Sequence, residues 1–151
     1  MGVEYVTDEQ ALAQADHNTL LAMYQHFLEE HGRMVQGTDV VKPSVHALLD
    51  NDMCLVTARW KGGLIGFVTF GITETRNIAL HVVYTLRERR RRGVASALLD
   101  EIRRQHPEKR MVAEVYQRNQ PALRLFTKHY FTFVFCTGWA SAVREIGNPY
   151  P

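Results

Sequence analysis

"RERRRRGVASALLD", residues 87 to 100, decides how this chain is read. Five of its first six residues are arginines, Arg87 and Arg89 to Arg92, and a glycine and small apolar residues follow. Upstream, "IALHVVYTL" (78–86) is rich in β-branched and aromatic residues and reads as a strand ending near Thr85. Downstream, Val94 to His106 is amphipathic, with Ala97, Leu98 and Ile102 on one face, and Pro107 stops it. The arginines therefore join a strand to a helix. A helix's first turn leaves backbone N–H groups unpaired and carries a partial positive charge. Gly93 admits a ligand close to the backbone, Ala95 keeps the first turn small, and Ser96 adds a hydroxyl. This is the arrangement of an anion site. It is neither a P-loop nor a dinucleotide fingerprint, because Gly-x-x-x-x-Gly-Lys and Gly-x-Gly-x-x-Gly are both absent.

Working outward, "VEYVT" (3–7) reads as a short strand, and Thr7 or Asp8 can cap a helix starting near Glu9. From Asp16, Leu20, Leu21, Tyr24, Phe27 and Leu28 recur at helical spacing up to Gly32. A polar loop, "RMVQGTDVVKPSV", leads to a short helix over about Ser44 to Leu49. "MCLVTARW", "LIGFVTFGI" and "IALHVVYTL" form a meander with turns at "KGG" and "TETRN". "RMVAEVY" is a strand, "QPALRLFTKHY" a short helix capped by Asn119 with Pro121 in its first turn, and "FTFVFC" and "WASAVREI" a last hairpin around "TG". Only the unit from about 77 to 117 is a β-α-β crossover, so its two strands are parallel and the rest are mostly antiparallel. The expected fold is α+β, a mixed sheet of six or seven strands flanked by about four helices, with residues 1–151 as a single domain.

The chain's 151 residues are 46% hydrophobic and 23% charged, ordinary for a globular protein. No apolar run approaches the roughly 20 residues of a membrane helix, and the acidic N-terminus has no signal-peptide core, so a cytoplasmic protein with no membrane partner is expected. Cys54 and Cys136 each sit in an apolar strand-like run and are expected as reduced core residues. No Cys/His spacing suits zinc, so no metal is expected. Residues 1–86 carry five Lys/Arg against ten Asp/Glu, and residues 87–151 thirteen against six, a net of −5 and +7 within the total of +2. Outside residues 87–92 there are thirteen Lys/Arg and fifteen Asp/Glu, so no basic face extends the cluster and no nucleic-acid partner is expected.

"RRRGVA" (Arg90, Arg91, Arg92, Gly93, Val94, Ala95) resembles the Gln/Arg-x-x-Gly-x-Gly/Ala signature of the GNAT superfamily of N-acetyltransferases. "NQPALRLFTKHYF" resembles the family's Asn-x-x-Ala-x-x-Leu-Tyr-x-x-x-Gly-Phe segment through Asn119, Ala122, Leu125 and Phe131. The order of elements agrees along the whole chain. The resemblance implies the GNAT fold and transfer of an acetyl group from acetyl-CoA to a primary amine, directly in a ternary complex. It implies that Arg90, Arg91, Arg92, Gly93, Val94, Ala95 and Ser96 hold the pyrophosphate of the co-substrate and that the backbone of Val83, Tyr84 and Thr85 holds its pantetheine arm. Asn119 and Phe126 complete the expected acetyl-CoA site.

Two positions depart from the family pattern. The motif's tyrosine, often the general acid, falls on Phe126, and its glycine falls on Tyr130. Phe126 cannot donate a proton, which leaves Tyr130 and Tyr116 as available phenols and keeps a second reading open, an acyl-CoA-binding or sensor module with weak or no activity. The glutamate that some members place on the fourth strand aligns with Ala79. His81, two residues on and on the same face by the strand's period of two, and Glu114 on the next strand are the candidate bases. By the same resemblance the acceptor side is expected at Glu29, Glu30 and His31 and the loop after them, whose acidity suggests a cationic small-molecule or protein amine. "FTFVFC" is apolar on both faces, as in a doubly covered strand or one that pairs across a homodimer.

Overall fold

A computed structural model describes residues 3–7, 17–31 and 53–146. Among these, seven strands and three α-helices alternate as β1 (Val3–Thr7), α1 (His17–His31), β2 (Cys54–Trp60), β3 (Gly63–Ile72), β4 (Ile78–Thr85), α2 (Val94–Gln105), β5 (Met111–Tyr116), α3 (Gln120–Lys128), β6 (Thr132–Cys136) and β7 (Trp139–Arg144). They form one sheet in the order β1-β2-β3-β4-β5-β7-β6. β4 and β5 are parallel, as the crossover requires, and every other neighbouring pair is antiparallel. The expected helices near Glu9 and over Ser44 to Leu49 lie outside the described residues.

Helices cover both faces, which is why β2 and β3 read as nearly continuous apolar runs. Leu20 and Met23 of α1 pack on Val6, Leu55, Phe67 and Val82. On the other face, Leu98, Leu99 and Ile102 of α2 and Phe126 of α3 pack on Val56, Val68, Phe70 and Ile78.

β4 holds an irregularity that bears on the site. Thr69 pairs with Val82 while Phe70 pairs with Leu80, so His81 is the extra residue of a β-bulge. The Thr69 hydroxyl accepts the Val82 amide at 3.2 Å, satisfying a group the bulge would strand. Leu80 and Val83 consequently join the core on the α2 side, and Val82 and Tyr84 join that on the α1 side.

The last hairpin corrects two expectations. β7 lies between β5 and β6, so β6 is an edge strand and is not doubly covered. Ala140 and Ala142 of β7 are fully buried, Ala142 in the core that holds Phe126 of α3, while Val134 and Phe135 of β6 are 64% and 62% exposed. Cys136, at the end of that edge, is exposed and not in the core, whereas Cys54 is half-buried and packs against the core, and neither forms a disulfide among the described residues.

Where β3 passes the end of β4, Gly66 has no room for a side chain. A Cβ there would lie 2.9 Å from the Tyr84 carbonyl oxygen and 3.2 Å from Val94 Cγ1. Gly66→Ala is expected to cost about 1–3 kcal/mol of stability through overpacking against backbone. A thermal melt with no loss of stability would refute that reading.

Candidate active site

The β4–β5 ladder contains two residue pairs, Ile78 with Met111 and Ala79 with Val112. Beyond them the strands part, and the β5-facing edge of residues 80–85 has no strand partner among the described residues. A cleft of about 660 Å³ opens in the gap, walled by β4, β5, the arginine loop, the first turn of α2, one side of α3 and the last turns of α1.

The loop is shaped for that position. A 3-10 turn, Arg87–Arg89, follows β4. Arg91 and Gly93 then take left-handed backbone conformations, with φ of 65° and 82°. Gly93 caps α2 without a side chain, and a Cβ there would meet nothing within 4 Å. The first-turn amides of α2 have no acceptor within their own helix. Val94, Ala95 and Ser96 carry them, and all three line the cleft.

Most residues expected to hold acetyl-CoA are brought together here. Val83, Tyr84, Thr85, Arg90, Arg91 and Gly93 line the cleft from one side, and Asn119 and Phe126 from the other. Arg92 is exposed and is not part of the lining. Asn119 Oδ1 accepts the Ala122 amide at 3.2 Å and so caps α3, which leaves its amide nitrogen as a donor. Phe126 is buried and packs on Phe131 with ring centroids 4.8 Å apart. The Thr85 hydroxyl is buried on the cleft wall and makes no hydrogen bond among the described residues. An unpaired edge strand, a bare helix N-terminus and an orphaned hydroxyl on one cleft fit a long ligand with an anionic group and amide functions.

Of the candidate catalytic groups, His81 and Glu114 line the cleft and Tyr130 does not. The bulge removes the period-of-two argument that put His81 on the face of Ala79, yet it turns the imidazole to the cleft. The ring is reachable by solvent through the mouth but crowded by protein, and this desolvation pushes its pKa below the ordinary 6.5. The Glu114 carboxylate accepts the Ser141 hydroxyl, at 3.1 and 3.3 Å to its two oxygens, across the β5–β7 pair. Tyr130 lies outside, with φ of 65° where the family pattern has glycine. It lines a separate cavity of about 240 Å³ with Asp100, His129 and Arg144. Tyr116, its ring edge-on to Trp139 at 4.8 Å, lines the cleft instead.

On the acceptor side, Glu30 reaches the cleft, but its carboxylate is engaged by Arg90 Nη1 and Nη2 at 2.9 and 2.8 Å. Its negative charge is therefore compensated, and the hydrogen bonds to it push Arg90's pKa still higher. Glu29 is exposed and outside the lining, and His31 ends α1. The "RMVQGTDVV" loop lies outside the described residues. Sequence reasoning missed the Glu30–Arg90 pair, whose members are 60 residues apart, and the Ser141 support of Glu114. Neither leaves a local signal.

The model of the acetyltransferase (GNAT) family matches residues 20–131. The chain belongs to the GNAT acetyltransferase family. The general chemistry of that family is acetyl-CoA-dependent acetylation. A peptidyl-lysine N-acetyltransferase, YiaC from Escherichia coli (strain K12), is 36% identical over 75 residues, a match that spans 50% of this chain and 47% of YiaC. Among solved structures, an acetyltransferase from Thermus thermophilus has a TM-score of 0.71 at 14% identity, covering 95% of this chain and 97% of its own. The yncA protein of Salmonella typhimurium, solved with its cofactor acetyl-CoA, has a TM-score of 0.66 at 17% identity, covering 100% and 98%. At these identities the two structures show the GNAT fold. No group of His, Cys, Asp or Glu among the described residues could hold a metal ion, and no described helix is long and apolar enough to cross a membrane.

Two histidines are expected to give this protein an acid sensitivity. Burial lowers the pKa of His81, and it lowers that of His129 against the partial opposition of Asp100, 3.6 Å away. Both folded-state values lie below the unfolded value of about 6.5, so the unfolded chain binds more protons and stability falls as pH drops below that point. NMR titration is expected to place both midpoints under 6.5, and melting temperature to decline from about pH 6.5 downward. A midpoint at or above the ordinary value would refute the burial argument.

Proposed function

We propose that this GNAT enzyme acetylates a primary amine carried on a cationic acceptor, with the lysine side chain of a peptide as the first candidate. The observation that carries the reading is the β4–β5 opening onto the glycine-capped N-terminus of α2. The stretch of similarity to a peptidyl-lysine N-acetyltransferase supports the acceptor class.

Acetyl-CoA supplies an activated thioester carbonyl and a thiol leaving group. The amides of Val94, Ala95 and Ser96, with the field of Arg91 and Arg92, hold its pyrophosphate, and the free edge at Val83, Tyr84 and Thr85 holds its amide-bearing arm. Asn119 and Phe126 form the opposite wall. No cysteine lines the cleft among the described residues, which supports direct transfer within a ternary complex over a thiol-bound relay.

A lysine-type ammonium, with a pKa near 10.4, must lose a proton before it can attack. Glu114, fixed by Ser141, accepts that proton, and the neutral His81 imidazole is the second acceptor on the same cleft. Tyr116 is placed to return a proton to the departing thiolate, a role Phe126 cannot fill and from which Tyr130 is removed. A cytoplasmic setting, residues 1–151 as one domain, and a homodimer paired along the exposed β6 edge complete the proposal.

The buried Phe126 favours one competing reading, a GNAT-fold module that binds acetyl-CoA without turnover. Release of free thiol from acetyl-CoA over a panel of lysine peptides, polyamines and neutral amines separates the two. Turnover with the cationic amines is expected. Binding of CoA with no transfer to any amine would favour the module. Glu114→Gln is expected to lower kcat at least about 10²-fold with CoA affinity unchanged, and unaltered kcat would remove Glu114 from the chemistry. Gly93→Val should weaken CoA binding severely, because a β-branched residue resists a φ of 82°.

A further inference from the structure

The arginine run is not a single solvated patch. The Arg90 guanidinium engages three residues on two elements at once. Nη1 and Nη2 donate to the two Glu30 oxygens at 2.9 and 2.8 Å, Nε donates to the Thr85 carbonyl at 2.8 Å, and the group lies 5.2 Å from the centre of the Tyr84 ring. Arg89 lies over Trp60 at 4.0 Å, which ties the loop to the end of β2. Arg87 stands 3.8 Å from Glu30 but is 74% exposed. Arg91 and Arg92 remain at the surface.

Glu30 is an odd residue for its place. It occupies the last turn of α1, where the helix dipole disfavours a carboxylate, and it borders a cleft read as an anion site. Its cost falls away once two guanidiniums face it. The loop, in turn, needs an anchor. Arg91 holds a left-handed conformation that a residue with a Cβ resists, and Gly93 follows two positions later in the same region.

We propose that Glu30 and Arg90 are positioning residues that lock the arginine loop against α1, in the conformation that presents the α2 amides. The inference rests on the reading of this loop as the acetyl-CoA pyrophosphate site. It makes α1, on the acceptor side, and the co-substrate loop one mechanical unit joined by a bidentate ion pair. Arginine is required at position 90, because one ammonium cannot serve two carboxylate oxygens and the Thr85 carbonyl in a fixed plane.

The sign of one measurement tests it. If Glu30 acted only as a negative charge near a diphosphate, Glu30→Gln would tighten CoA binding. If it holds the loop, the same change loosens binding. With the competent loop populated about one-tenth of the time in the variant, the apparent Kd for CoA rises about tenfold. Calorimetric titration of CoA into wild type, Glu30→Gln and Arg90→Lys is expected to show weakening in both variants, the second despite its retained charge. Hydrogen exchange without CoA is expected to quicken at residues 87–96 in both, while the core amides of β2 and β3 stay protected. A Kd unchanged or lowered in Glu30→Gln, or unchanged exchange in the loop, overturns the lock. Loss of protection across the whole sheet also overturns it, since the pair would then serve general stability. Failure of wild type to bind CoA would sink the site reading instead, and the exchange comparison would still decide the lock.

Discussion

The ladder between β4 and β5 carries two residue pairs and then stops, and the cleft depends on its stopping there. Parallel neighbours joined by a right-handed crossover would normally zip along their length. Here they part as the chain leaves β4 for the loop. The separation leaves a row of main-chain groups to be satisfied from elsewhere, and it points that row at the N-terminus of α2. An exposed edge inside a sheet is costly unless something fills it, and the co-substrate is the filler proposed for it.

The cleft's chemistry is divided between its walls. The loop side carries the positive field and the bare amides, and the β5 side carries the carboxylate, with the imidazole opposite on β4. Glu30 would blur this division were it not neutralised by Arg90. Pairing it keeps one side cationic for an anionic ligand and leaves Glu114 as a carboxylate held by a hydroxyl instead of a guanidinium. Few contacts are needed, because each group is held by a second one: Glu114 by Ser141, Arg90 by Thr85, and Asn119 by its capping bond.

What was legible in the sequence was local. Gly93, Pro107 and Asn119 with Pro121 are punctuation with stereochemical meaning, and the strand–loop–helix unit and the short helix after β5 follow from them. The seven strands and the single parallel pair were equally readable. The illegible features join residues far apart in sequence. "FTFVFC" looks like an interior strand, and only the insertion of β7, with Ala140 and Ala142 buried, pushes it to the edge. Nothing near Glu30 announces Arg90. Tyr130 is an available phenol four residues after the motif's tyrosine position, yet its backbone holds a place the motif gives to glycine and it lines another cavity.

The bulge at His81 gives β4 two phases. Before it, Ile78 and Leu80 face α2, and after it Val83 does, while Val82 and Tyr84 serve the α1 side. The extra residue is therefore separable from the packing on either face of the strand. Removing one residue between Leu80 and Val82 would let the ladder with β3 run straight, with every hydrogen bond made. Every core side chain would keep its layer, because Leu80, Val82, Val83 and Tyr84 then alternate with a period of two, and what would be lost is the imidazole that the extra residue turns to the cleft. The irregular count of residues in β4 thus leaves both cores as they are and adds a polar ring at the cleft.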